Sequence, residues 1–214
     1  MTSHKGNSDS SLTVRADKIE PLSSYLKRHK KHIEYQVIEQ LIDSVGRQLR
    51  YLEREDMGIA SFNIDDITVF HADADVADAA DATHAIHFAI TNEDKIHDIN
   101  DENYLVITAP YSKEYTATAT PATKNKGFHS PEFKDFIAAK TVPYNIHFKS
   151  GYYSFGLLCL YCYVSRATTT TTTTATTTEN DLNDILAPII NTKIYWFLKQ
   201  VLQENPSSRR YICV

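Results

Sequence analysis

Glycine is scarce in this chain, with six in 214 residues. They stand at positions 6, 46, 58, 127, 151 and 156, and no two make a GxG. A G-x-G-x-x-G loop that folds over nucleotide phosphates is therefore excluded. Gly151 and Gly156 have P-loop spacing, but Leu157 and Leu158 stand where that motif needs Lys and Ser or Thr. The phosphate-binding charge and the magnesium ligand are thus missing. Cysteine is also sparse: Cys159, Cys162 and Cys213. An odd, small number does not make the disulfide framework of a secreted domain. Cys159 and Cys162 form a lone CxxC inside an apolar run, with no second Cys or His pair nearby. Two buried thiols on a helix are expected there, and no metal site. A basic excess is absent too. The formal net charge of −5 argues against binding nucleic-acid phosphates. The most apolar stretch, Tyr152–Val164, includes Ser154 and Gly156 and is too short to span a bilayer. It reads as a buried core helix. The opening MTSHKGNSDS has no apolar signal region. The expectation is a soluble, intracellular (cytoplasmic) protein without a membrane partner.

What is present suits one folded domain. Hydrophobic residues make up 42% and charged residues 23%, enough to bury a substantial core. Residues 1–18 are polar and read as a disordered tail. Pro21 opens a short helix to about Lys31, with Leu22, Tyr25 and Leu26 on one side. The basic run Lys27–His32 ends it, as a solvated face or a docking patch. Glu34–Glu53 is the clearest helix. Ile38, Leu41, Ile42, Val45, Leu49 and Leu52 recur at helical spacing and form one apolar stripe. Gly46 within it points to close packing against a neighbouring helix.

Asp66–Phe70 reads as a strand, as do Ala85–Thr91 and Tyr104–Thr108, with NEDKIHDINDE between the last two as a polar turn. The acidic tract 72–82 lacks the turn glycine and closing glutamate of a calcium loop, so a surface insertion is expected. His84 and His87 form an HxxH pair without a third ligand and read as exposed or strand-face residues. Lys113–Lys126 is loop-like. The threonine tract of 167–178 reads as an inserted linker, since β-branched residues with nothing to pack against make poor helices. A last amphipathic helix holds Ile194, Phe197, Leu198, Val201 and Leu202, and Asn205-Pro206 stops it.

Four motifs in order give these pieces a common meaning. Gly58–Phe70, GIASFNIDDITVF, follows a helix carrying Tyr51-Leu52. GFHSPEF (Gly127–Phe133) holds Ser130-Pro131-Glu132. GYYSFG (Gly151–Gly156) opens the buried helix. FLKQVLQENPSSR (Phe197–Arg209) closes the domain. Together they resemble the C-terminal lobe of a eukaryotic protein kinase: the catalytic loop, the end of the activation segment, the start of the central helix and the last conserved arginine. The resemblance implies a mainly α (α+β) fold over residues 19–214, with a few short strands. It also implies that a nucleotide-binding N-lobe has no room in the 20 residues before Pro21.

The same resemblance implies a degenerate site. Ser61, Phe62 and Asn63 stand in place of the family's His-Arg-Asp, and Asn63 has no useful basicity where the aspartate would take the substrate proton. The loop's metal-binding asparagine falls on Thr68 without a gap, or on Asp66 with two residues deleted. For the magnesium-binding Asp-Phe-Gly, spacing to Glu132 selects Ala109-Pro110-Tyr111, with Asn92-Glu93-Asp94 as second candidate. Gly151 replaces the aspartate that braces the catalytic loop, so a loosely held loop is expected. The structural residues implied are Pro131, Gly156 and a buried Glu132–Arg209 ion pair; otherwise both are surface charges. If the pair is buried, Glu132→Ala strands a guanidinium at about 3–5 kcal/mol. The leading functional expectation is a pseudokinase-like binding or scaffold module. It has no cofactor, metal or nucleic acid, and a protein partner lies on the surface that would face an N-lobe. The alternatives are a kinase fragment whose N-lobe comes from another chain, and a truncated product without function.

Overall fold

The computed structural model describes residues 16–29, 33–71, 86–110, 127–164 and 179–211. The acidic tract, the Lys113–Lys126 loop, the threonine linker, Tyr111, His84, Cys213 and residues 1–15 lie outside that range. The described chain is α+β. In order it forms β1 (Lys18–Pro21), α1 (Leu22–Arg28), α2 (Tyr35–Arg54), β2 (Met57–Ile59) and β3 (Ile67–His71). Next come β4 (Ile86–Ile90), β5 (Ile96–Asp98), β6 (Tyr104–Ile107), α3 (Pro131–Ala139) and β7 (Tyr144–His147), then α4 (Ser150–Val164), α5 (Glu179–Leu186) and α6 (Lys193–Val201).

Helix α2 forms where the apolar stripe predicts, and it buries that stripe with Val37 added. Gly46 has a different reason from the one expected. A Cβ there would fall 1.9 Å from the hydroxyl of Tyr211, so it is a C-terminal tyrosine ring, and no helix, that rests on the glycine. The Tyr211 hydroxyl donates to the Ile42 carbonyl. Helix α4 is apolar on all sides, which suits a helix surrounded by protein. Phe155, Leu158 and Cys159 on it are fully buried. Burial raises the thiols of Cys159 and Cys162 well above the ordinary range, so both are inert packing groups. Gly156 lets α6 approach, since a Cβ there would lie 2.5 Å from Val201 Cγ2.

Strands β1, β3 and β4 form one antiparallel sheet, with Glu20, Val69 and Phe88 side by side on its buried face. Strand β1 corrects the expected tail, because Lys18 belongs to the sheet. Its sequence carries no strand signal. Pairing with β3 creates it, and so does Glu20, whose Oε1 meets Arg28 and His71 Nε2 (2.8 Å). The far edge of β4 is capped by the carboxamide of Gln48 on α2. Ile90 N–H donates to Gln48 Oε1 (2.9 Å), and Gln48 Nε2 donates to the Phe88 carbonyl (3.0 Å). One side chain thus satisfies an edge that would otherwise invite another strand. The outward face carries Ile19, 61% exposed, beside Phe70 and His87.

The stretch read as a polar turn, NEDKIHDINDE, holds more structure than that. A short 3-10 turn at Glu93–Lys95 leads into β5, which pairs antiparallel with β2. A second ladder joins β6 to β7. Both depend on partners far along the chain. Among the described residues, no helix is long and apolar enough to cross a membrane.

Candidate functional site

Past Ile59 the chain turns into the core. Ser61 and Phe62 are buried, and the Phe62 ring meets Phe155 of α4 at 5.8 Å between centroids. The Phe62 carbonyl accepts the Phe128 N–H (2.8 Å), which ties this loop to the segment that leads into α3. Neither Ser61 nor Phe62 presents a group for chemistry.

The expected looseness of this loop is corrected by two serines of α4. Phe62 N–H donates to Ser154 Oγ (2.6 Å), and the Ser154 hydroxyl donates to the Phe128 carbonyl. One turn earlier a relay runs through hydroxyls. Phe133 N–H donates to Ser130 Oγ (3.2 Å), Ser130 contacts Ser150 Oγ (2.6 Å), and Ser150 donates to the Ala60 carbonyl (2.6 Å). Ser130, Ser150 and Ser154 are fully buried. Each hydroxyl both donates and accepts, so the loop is held without a carboxylate, and the linked bonds strengthen one another. Gly151 brings the two backbones together. A Cβ on it would stand 2.2 Å from the Ile59 carbonyl oxygen.

The polar end of the loop is organised around Asp66. Asn63 precedes a 3-10 turn at Ile64–Asp66, and its N–H donates to Asp66 Oδ2 (2.6 Å). Asn92 Nδ2 donates to Asp66 Oδ1 (2.8 Å), and Lys95 Nζ lies 2.5 Å from Asp66 Oδ2. The carboxylate is 5% exposed and the lysine side chain 19%. A carboxylate this buried needs a compensating charge, and Lys95 supplies it. As a candidate cation ligand Asp66 is therefore corrected: its oxygens are taken by donors of its own chain. Thr68 lies outside this cluster, on the outward face of β3, where its hydroxyl meets that of Thr91 (2.8 Å). Ala109 and Pro110 follow β6, which pairs with β7. Of the described residues of the two candidate triplets, Asn92 of the second is the one that bonds Asp66.

His129 completes the neighbourhood. Its ring stacks on Phe133 (4.9 Å, 19°) and sits against Gly127, close to Asn63. Burial, then the charges of Lys95 and Lys134, push its pKa down to about 4. Between about pH 6.5 and 4 the unfolded chain binds a proton that the folded one refuses, so stability falls as the pH drops through that window. The full effect is about 3 kcal/mol. Expected result: from about pH 7 to 4.5 the wild-type melting temperature drops further than that of His129→Phe. Parallel profiles would remove His129 from the account.

The remaining expected residues are structural. Pro131 occupies the first turn of α3, which Ser130 caps. The side chain of Arg209 is wholly buried. Its Nη1 lies 2.7 Å from Glu132 Oε1, so these are not surface charges. Its N–H groups also reach the carbonyls of Gln203 (2.7 Å), Glu204 (2.8 Å) and Lys149 (3.3 Å), and its guanidinium lies 4.8 Å from the Tyr153 ring centre. A cavity of about 260 Å³ lies between α4, α5 and α6, walled by Tyr153, Leu157, Leu182 and Lys199, away from the loop.

Lys95, His129, Ser150 and Ser154 were missed by reading the sequence. Ser154 had a signal, being a polar residue inside a fully buried helix that must find partners. Lys95 had none, since it lies 29 residues from its partner. Among the described residues, no three His, Cys, Asp or Glu side chains gather as a metal site would require. No family model matches the chain, and no curated protein matches it.

Proposed function

We propose that this protein is a non-catalytic binding or scaffold module built on a framework like the larger lobe of a protein kinase. The observation that carries the reading is the state of Asp66. Phosphoryl transfer needs a carboxylate near the substrate hydroxyl and oxygen ligands for magnesium. Here the carboxylate nearest that position is buried, neutralised by Lys95 and hydrogen-bonded by Asn63 and Asn92. Asn63 stands where the proton acceptor would be, and Phe62 before it is a core residue. Relative to the family pattern, carboxylate and carboxamide have exchanged places between the loop (Asp66) and the segment after β4 (Asn92). The donor set does not suit a magnesium–nucleotide complex, and we route no step through one. The serine relay and the Glu132–Arg209 contact support a framework kept for its shape. By this reading the partner is a protein that covers the surface an N-lobe would face, bordered by α1 and α2.

The test is nucleotide binding by the intact chain. A ligand that binds only the folded state stabilises it by about 2.7 kcal/mol at about 100 times its Kd. The expected result is an unchanged melting temperature in millimolar Mg-ATP. A dose-dependent rise, abolished by Asp66→Asn, would put the alternative of a kinase fragment completed by another chain ahead of the module.

A further inference from the structure

We propose that Lys95 is a tethered counter-cation that closes the Asp66 pocket to divalent metal ions, so that removing its charge uncovers a weak metal site on Asp66 and Asn92. This goes beyond the proposed function, with which it shares the buried state of Asp66, because it concerns the response of that carboxylate to metal ions and not catalysis or a partner.

The argument starts from burial. Asp66 is 4% exposed, so its charge must be met inside the protein. The ammonium that meets it comes from the 3-10 turn Glu93–Lys95, directly after β4, and lies 2.5 Å from Oδ2. That turn is fixed by the Lys95 N–H donating to the Asn92 carbonyl (3.4 Å). The same short segment thus places a carboxamide on one oxygen of Asp66 and a cation on the other. Asp65, next to Asp66 in sequence, and Glu93 and Asp94, on the same turn as Lys95, are exposed.

A metal ion entering the wild-type protein would have to break a short ion pair and then sit beside the displaced ammonium, which repels it. Without the ammonium the logic reverses. The buried carboxylate loses its counter-charge, and a hard dication is the ligand that restores it. Asn92 can supply an oxygen by turning its carboxamide over.

The experiment titrates Mn²⁺, without nucleotide, into the full-length wild type, Lys95→Met, and the double variant Lys95→Met/Asp66→Asn. Methionine keeps the aliphatic stem and removes the charge. Free Mn²⁺ is read by its paramagnetic resonance signal. Lys95→Met is expected to bind Mn²⁺ at least about tenfold more tightly than the wild type, in the weak range typical of sites with few ligands. Adding Asp66→Asn is expected to cancel the gain. A folded Lys95→Met with no gain, or a wild type that binds equally well, overturns the proposal. If Lys95→Met does not fold, the wild type still decides. Lys95 should then be acetylated at least about tenfold more slowly than exposed Lys134, because its ammonium is paired and partly buried. Equal rates would show the pairing absent and sink the idea. A Mg-ATP shift that survives Asp66→Asn would count against the proposed function alone, whereas one that Asp66→Asn abolishes would mean the pocket admits a dication and would overturn both.

Discussion

Replacing Arg209 with methionine is expected to destabilise the protein by about 3–5 kcal/mol, and replacing Glu132 with glutamine by only about 1–2 kcal/mol. The asymmetry follows from how the two side chains are held. Arg209 is wholly buried, and its N–H groups bind three backbone carbonyls, those of Gln203, Glu204 and Lys149. The first two close the turn after α6, and the third ties that turn to the residue before α4. Methionine fills the space but leaves all three carbonyls without their donors, and leaves Glu132 without its cation. Glu132 is held differently. Its Oε1 is 2.7 Å from Arg209, yet neither carboxylate oxygen makes a hydrogen bond of proper direction. The contact is a charge interaction without an aligned N–H. Once Glu132 is neutralised, the guanidinium keeps its carbonyls and the face of Tyr153. For Glu132→Ala, which also removes the side chain's bulk, the expected loss is at the lower end of the 3–5 kcal/mol range, about 3 kcal/mol, because the guanidinium keeps its carbonyls. Urea unfolding of both variants checks the order. Equal losses, or a larger loss for Glu132→Gln, would mean that the ion pair and not the carbonyl bonds fastens the turn.

Gly151→Ala is the other large effect, at about 3 kcal/mol or more. Alanine is the better helix former, so propensity predicts a gain, though one below the roughly 1 kcal/mol of a helix interior because Gly151 lies in the first turn of α4. Packing reverses the sign. The added methyl would stand 2.2 Å from the Ile59 carbonyl oxygen and 3.2 Å from its carbon. Both are backbone atoms of β2, which is paired to β5 on its other side. No rotamer relieves the clash, so helix α4 must move away from the loop. That movement would stretch the Ser150–Ala60 and Ser154–Phe62 hydrogen bonds together. Hydrogen exchange should therefore show Phe62 and Phe128 amides losing protection along with the drop in melting temperature. A variant as stable as wild type would mean the two backbones are not in contact. Gly46→Ala makes a useful comparison, because the Tyr211 atoms it meets belong to a side chain and not to backbone.

The sequence by itself determined the elements whose signal is local. The apolar stripe of α2, the unbroken apolar surface of α4 and the amphipathic α6 were legible because each depends on residues three or four apart. It also determined that Ser61, Phe62 and Asn63 offer no acid or base, which is a matter of residue type alone. Only the tertiary structure decided the rest. Strands β1, β5 and β7 have little alternation of their own and form because distant strands pair with them. Asp66, a free cation ligand as a letter in the sequence, became a buried and neutralised carboxylate once β3 and β4 folded together and carried Lys95 to it. Gly151, taken to loosen the loop, proved to be where two backbones touch while serines on either side supply the hydrogen bonds. The physical reason is common to all three. Charge compensation and hydrogen bonding act over about 3 Å of space, and the chain separation of the partners leaves no local pattern to read.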